Sequence, residues 1–414
     1  MNTTVISNIG GLCLYDIDSK GPLLKEALSS WEVLENAYLL IEDGKIAGWG
    51  KMEDVPPRAE KVIDAEGGFL LPGFVDSHTH MVFAGSREKE FVGRIKGLSY
   101  EQIINEGGGI LNSAQRLRDM PYELLLESSR HKLNHLISMG TTALEIKSGY
   151  GLSVDGELKM LKVIKALKES SPIPIKSSFL GAHAIPLEYR ANRVAYLDLL
   201  INDLLPKIAQ EGLADYMDVF CEKVAFSIEE TDRLLEAGTR YGLKPKIHTN
   251  QFNSMGGIQT AIRHNAVSVD HLEVMNEEEI VFLAQSSTIG TLLPSAPFFL
   301  SDPYPEGRKL IDAGAAVALA SDYNPGSSPS ANMSFVISLA CVKCGLLPKE
   351  ALAAATVNGA YALEMEDKCG SIDVGKRADF ILTKKVSSLD FLPYSFGHSW
   401  ISKVFVQGRE FVKE

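Results

Sequence analysis

Cysteine is scarce in this chain. Five residues (Cys13, Cys221, Cys341, Cys344, Cys369) are spread over 414 positions, an odd count that argues against a disulfide framework and suits a reducing compartment. Cys341 and Cys344 form one CxxC inside an apolar, helix-like run. No second pair completes a zinc site, so buried packing is expected there. Long hydrophobic runs are also lacking: no stretch reaches the roughly 18 apolar residues of a spanning helix. The start, MNTTVISNIGG, has no basic-then-apolar pattern of a secretory signal, and a cytoplasmic protein is expected. Positive charge is in deficit. Lys and Arg number 41 against 53 Asp and Glu, a net charge of −12, which argues against nucleic acid or an anionic membrane as partner. A local cationic pocket remains compatible with that balance. There is no GxGxxG after a strand and no Walker-A loop, so nucleotide-binding folds lose ground. A small molecule is the expected partner, with a homodimer left open.

What is present is ordinary in amount: 45% hydrophobic and 23% charged residues, which removes disorder as the default. The length exceeds one usual core, so a large domain with a smaller one is expected. The ends resemble each other. Residues 37 to 71 carry apolar runs around Asp43 and Gly44, a hairpin signal, and the tail alternates short strands with Gly-containing turns. Residues 1–66 and 370–414 are read as one composite β-sandwich, because either ribbon alone is marginal.

Residues 67–369 alternate apolar strand-like runs with amphipathic helical ones. The strands are FVDSHTH, GTTALEIKSGY, IPIKSSFLGAH, ADYMDVFCEK, LKPKIHTNQ, AVSVDHLE, STIGTLLPSA and AVALASD. Eight β-then-α units in order predict an α/β fold, a (β/α)8 TIM-type barrel. Polar groups gather at the strand ends: His78, His80, Tyr150, His183, Glu222, His248, His271 and Asp322. In such a barrel these ends form the active-site face, so residues far apart in sequence can converge.

His78 and His80 sit at i and i+2, which in extended backbone face the same way and can share an ion. His248 and Asp322 complete a three-His, one-Asp set suited to zinc or iron. Any one of these could be a satisfied buried polar residue; four at strand ends make that reading minor. His131 and His135 stand on an outer helix without an HExxH pattern, His264 lies near a helix end, and His398 belongs to the small domain. None of these four is proposed as functional.

Together the motifs PGFVDSHTH, HTHMVFAGSREKEF, EIKSGYGL, FLGAHAIP, HTNQFNSMGG, SVDHLE, ALASDYNPGSSPS and GSIDVGKRADFIL resemble the amidohydrolase superfamily over essentially the whole chain. Within it the similarity is to the branch that opens an imidazolone ring in histidine degradation. The resemblance implies hydrolysis of 4-imidazolone-5-propanoate to N-formimidoyl-L-glutamate with one metal ion, zinc or iron, on His78, His80, His248 and Asp322. It implies substrate contacts from Arg87, Tyr150, His183, Gln251, Asn324, Gly326 and Ser327. Many members carry Glu where this chain has Gln251, and an amide cannot accept and return a proton. Gln251 is therefore read as a recognition residue, with proton transfer at His271 and Asp322.

On this reading a divalent ion lowers the pKa of water towards about 7, and the ion or His183 stabilises the oxyanion. Arg87, with Tyr150 beside it, pairs with the propionate, although an ion pair with Glu88 or Glu90 is the bland alternative. Lys223 at the fourth strand's end raises a two-ion site, which the different motif context disfavours. Three other functions compete: an amidohydrolase acting on another ring, a non-catalytic scaffold, and a non-hydrolytic metal binder.

Overall fold

Each apolar run followed by an amphipathic segment becomes a parallel strand and a covering helix. The computed structural model describes residues 3–15, 21–56, 59–98, 102 and 108–413. In the run Gly107 to Gly109, which the sequence allows as a hinge or a turn, Gly107 lies outside the described residues and Gly109 opens the helix Gly109–Asp119. Five strands open the chain: β1 (Thr3–Leu14), β2 (Glu32–Glu42), β3 (Lys45–Lys51), β4 (Lys61–Asp64) and β5 (Phe69–Pro72). The barrel strands follow: β6 (Phe74–Asp76), β7 (Thr141–Lys147), β8 (Ile175–Ala182), β9 (Tyr216–Cys221), β10 (Lys244–Thr249), β11 (Ser268–His271), β12 (Ile289–Leu292) and β13 (Val317–Leu319). β14 (Phe380–Thr383), β15 (Ile401–Val406) and β16 (Arg409–Glu410) close the chain.

Strands β6 to β13 pair in sequence order, all parallel, as the eight-unit pattern predicts. Closure between the first and last strands is made by the site-bearing segments themselves. His80 N donates to Tyr323 O at 2.9 Å, and Asp322 N donates to His78 O at 3.1 Å. Asp76 adds to this seam by accepting from Ser321 N at 2.9 Å and from Ser321 Oγ at 2.5 Å. The helices start where their caps place them. Ser153 caps Val154–Ser170 by accepting from Gly156 N, and Ser227 with Glu230 forms a capping box on Ile228–Arg240.

The two termini meet through β14, which pairs antiparallel with β5. Asp43 and Gly44, with φ of 48° and 80°, turn β2 into β3 with the positive dihedrals that a two-residue hairpin of this kind needs. By hydrogen bonding the expected sandwich is one eight-stranded sheet. The physical reason is the length of β1: it pairs with β2 along one edge, and with β4 and β5 at different heights along the other. Its core is apolar, with Ile6, Ile9, Leu12, Leu39, Phe380 and Phe405 fully buried. The CxxC belongs to the helix Met333–Cys344, where Cys344 is buried and Cys341 partly so; all five cysteines are unpaired.

Candidate active site

Four side chains converge at the mouth of the barrel: His78 and His80 just after β6, His248 on β10 and Asp322 just after β13. His80 Nε2 lies 3.2 Å from His78 Nε2 and 3.3 Å from His248 Nε2. Asp322 Oδ1 is 3.6 Å from both His78 Nε2 and His80 Nε2. His78, His80 and Asp322 offer ligand atoms that all lie within 4.8 Å of one another, as do those of His78, His248 and His271. All are buried. Asp322 and His271 hold left-handed backbone, φ 53° and 94°, an uncommon conformation for residues with side chains and one that gathers at functional sites.

The far nitrogens of two of these rings meet carboxylates. His78 Nδ1 is 2.7 Å from Asp270 Oδ2, and His248 Nδ1 is 3.0 Å from Asp218 Oδ1. An ionised carboxylate only accepts, so each Nδ1 carries the proton and each Nε2 turns a lone pair inward. Both lone pairs point at His80 Nε2, 3.2 and 3.3 Å away; a proton there satisfies only one of them, whereas a cation among the three nitrogens engages all, and three imidazoles with one carboxylate are the donors zinc and iron accept. The donor set fits such an ion.

Around this centre the predicted substrate contacts fall into two groups. Tyr150 is buried, its ring 5.6 Å from that of His183, which stacks on His80 at 5.2 Å and 17°. His183 Nδ1 is 3.2 Å from Gly149 O; a carbonyl only accepts, so that nitrogen donates. Gln251 is half-buried in the loop after β10. In the second group the polar atoms are already engaged. Asn324 Oδ1 accepts from Gly326 N and Ser327 N at 2.7 and 2.8 Å, while Ser327 Oγ donates to Asp322 Oδ2 at 3.1 Å. This loop therefore braces Asp322. Arg87 Nε donates to Glu90 Oε1 at 2.8 Å, which is the bland ion pair that the sequence allows. The same guanidinium also lies against Gly326, where a Cβ would come 2.4 Å from Nη1, and its charge acts on Tyr150 and His183.

With this geometry in view, residues 69–411 match the amidohydrolase family. The imidazolonepropionase of Christiangramia forsetii is 54% identical over 91% of this chain and 92% of its own length. That of Flavobacterium johnsoniae is 50% identical over 98% and 99%. The chain belongs to the imidazolonepropionase family. Among solved structures, the guanine deaminase of E. coli superposes with a TM-score of 0.74 at 17% identity over 100% of both chains. A zinc-bound adenosine deaminase from Xanthomonas campestris gives 0.71 at 16% over 98% and 92%. These distant likenesses speak for the fold alone.

The electrostatics of this imidazolonepropionase-family site separate its members. Burial pushes the His78, His80 and His248 imidazoles well below the usual range, and the Lys147 ammonium reinforces this, most at His78 and His248. These three are neutral and ready to ligate. Burial lowers His183 to about 4. At His271 burial also acts downward, but the Glu273 carboxylate 3.3 Å away outweighs it and lifts the group to about 9. Asp322 is raised by burial to about 6, against the pull of His271 and hydrogen bonds from Asn324 and Ser327. Sequence reasoning missed Asp218, Asp270 and Glu273. The available signal was parity: Lys246 and His248, or Ser268 and Asp270, are polar pairs two apart that share one face of a strand. His131, His135, His264 and His398, which carry no functional pattern in the sequence, lie on the outer helices and the tail; His131 is exposed and His264 pairs with Asp232.

Proposed function

We propose that the chain hydrolyses the ring C–N bond of 4-imidazolone-5-propanoate to N-formimidoyl-L-glutamate, with one zinc or iron ion on His78, His80, His248 and Asp322. The observation that carries this is the convergence of three imidazole Nε2 atoms and a carboxylate on one point, in a chain half-identical to imidazolonepropionases over nearly its full length. A divalent ion in this set supplies Lewis acidity and brings water's pKa towards about 7. Lys223, which a bridged two-ion site would need, is exposed.

Asp322 takes the proton of water as its oxygen adds to the ring carbonyl carbon. The C–N bond then breaks, the ring nitrogen receives that proton from Asp322, and the carbonyl carbon, still part of the opened product, becomes a carboxylic acid that ionises by releasing the second water proton to solvent. Asp322 is braced for both halves of the exchange by the Ser327 hydroxyl, which donates to its Oδ2. His271, held by Glu273, orients the water from the opposite side. His183 is neutral and spends its Nδ1–H on Gly149, so its other nitrogen accepts a ring N–H rather than donating to an oxyanion. Gln251 hydrogen-bonds the ring. Arg87 and Tyr150 receive the propionate, with Gly326 leaving room beside the guanidinium; Asn324 and Ser327 act at the same end through the loop they brace. A cytoplasmic location, a homodimer, and domain limits at 66/67 and 369/370, with β5 reaching back across the first limit to join the terminal sheet, belong to the same proposal.

Elemental analysis and loss of the imidazolone ring are measured on wild type and Asp322→Ala. Wild type is expected to hold one transition-metal ion per chain and to open the ring; the variant loses turnover by at least about a thousandfold. A metal-free wild type, or an active variant, contradicts the proposal.

A further inference from the structure

Beneath the metal site the barrel holds more charge than an apolar core requires. Lys147 on β7 and Lys246 on β10 are fully buried, together with Glu145, Asp218 and Asp270. Buried ions cost several kcal/mol each unless well paired, and even a paired set is poor evidence of a stability role. The two lysines have different partners. Lys147 Nζ lies 2.5 Å from Glu145 Oε1, 2.7 Å from Asp218 Oδ2 and 3.5 Å from Asp270 Oδ2. Lys246 Nζ reaches the other oxygen of Glu145 and the backbone carbonyls of Ser77 and Ala362.

The two aspartates at Lys147 are the two that face the far nitrogens of His78 and His248. A continuous path therefore runs from His78 through Asp270, Lys147 and Asp218 to His248, and it closes at the point where the two ring nitrogens converge with His80. Asp218 gives one oxygen to each neighbour. Asp270 gives Oδ2 to both His78 and Lys147 and is fixed by Ser268 Oγ on Oδ1 at 2.6 Å.

We propose that Lys147 is the positioning residue of the metal centre: one ammonium that ties the carboxylates of β9 and β11 together and so fixes the mutual angle of the His78 and His248 rings. The inference rests on the metal reading above. Carboxylates behind ligand histidines fix ring orientation and metal affinity, and here both share a single cation. Without it two like charges face each other across β10, and both rings lose a fixed partner. Lys246 is the internal control, equal in charge and burial but with its only carboxylate contact, among the described residues, at Glu145.

The test is zinc affinity, by competition with a chelator, on purified full-length wild type, Lys147→Met and Lys246→Met. Lys147→Met is expected to bind zinc at least about tenfold more weakly, with Lys246→Met close to wild type. Wild-type affinity in Lys147→Met, or equal weakening in both variants, overturns the proposal. Should Lys147→Met fail to fold, the comparison moves to Asp218→Asn, in which removing the ammonium restores the cluster's original charge balance. There the added Lys147→Met is expected to weaken zinc several-fold further, and equal affinity with or without it overturns the proposal. A wild type that takes up no zinc or iron instead removes the metal reading itself.

Discussion

Two buried regions of the molecule are built on opposite principles. The terminal sheet is filled with Ile, Leu and Phe, and the Phe380 and Phe405 rings stack at 4.5 Å. The barrel interior under the active site is filled with Glu145, Lys147, Asp218, Lys246 and Asp270, all fully buried. Apolar burial stabilises without regard to direction, whereas an ion network contributes little net stability and holds atoms in fixed directions. The comparison teaches that one interior supports the fold and the other aims its side chains.

The largest expected effect sharpens this division from the apolar side. Phe405→Ala should cost about 3–5 kcal/mol of stability through lost burial and a cavity, while the folded variant keeps its metal content and KM. Denaturant unfolding and steady-state kinetics check both halves; a large change in KM would blur the distinction. From the charged side, Arg87→Met should raise KM by roughly 10- to 100-fold, the worth of a charged hydrogen-bonded pair, with metal content intact. Wild-type KM would return Arg87 to its ion pair with Glu90 as a purely structural group.

A pH experiment separates the interiors further. His271 in the folded, metal-free chain titrates near 9, above its unfolded value, because Glu273 outweighs burial. Its contribution to stability is therefore complete below about 6.5 and is lost as pH rises through 9. Melting temperatures of metal-free chain from pH 7.5 to 10, above the range where the depressed His78, His80, His183 and His248 still gain stability, should fall, and Glu273→Gln should flatten the fall. The smallest effect lies on the outer helices: Ser227→Ala removes a capping box and should cost about 1 kcal/mol with activity unchanged.

The same contrast explains how much of the molecule is legible in its amino-acid order. His78, His80, His248 and Asp322 are legible because each stands at the end of an apolar run, and eight such runs imply a barrel whose strand ends meet. Asp218, Asp270 and Lys147 are not, because a charge within a strand reads as a solvated edge until the barrel is closed and parity turns it inward. Glu90 is visible as a neighbour of Arg87, but whether it or the ligand holds the guanidinium is a matter of three-dimensional packing. The terminal strands are legible too, yet their union into a single sheet depends on β14 meeting β5, about 300 residues apart in sequence, a contact no local pattern encodes.

The most direct test is X-ray absorption at the metal edge of the wild-type protein. The first shell should contain only nitrogen and oxygen at about 2.0–2.2 Å, with the outer scattering of three imidazoles. A sulfur-containing shell, or one of oxygens without imidazole scattering, would contradict a cation held by His78, His80, His248 and Asp322.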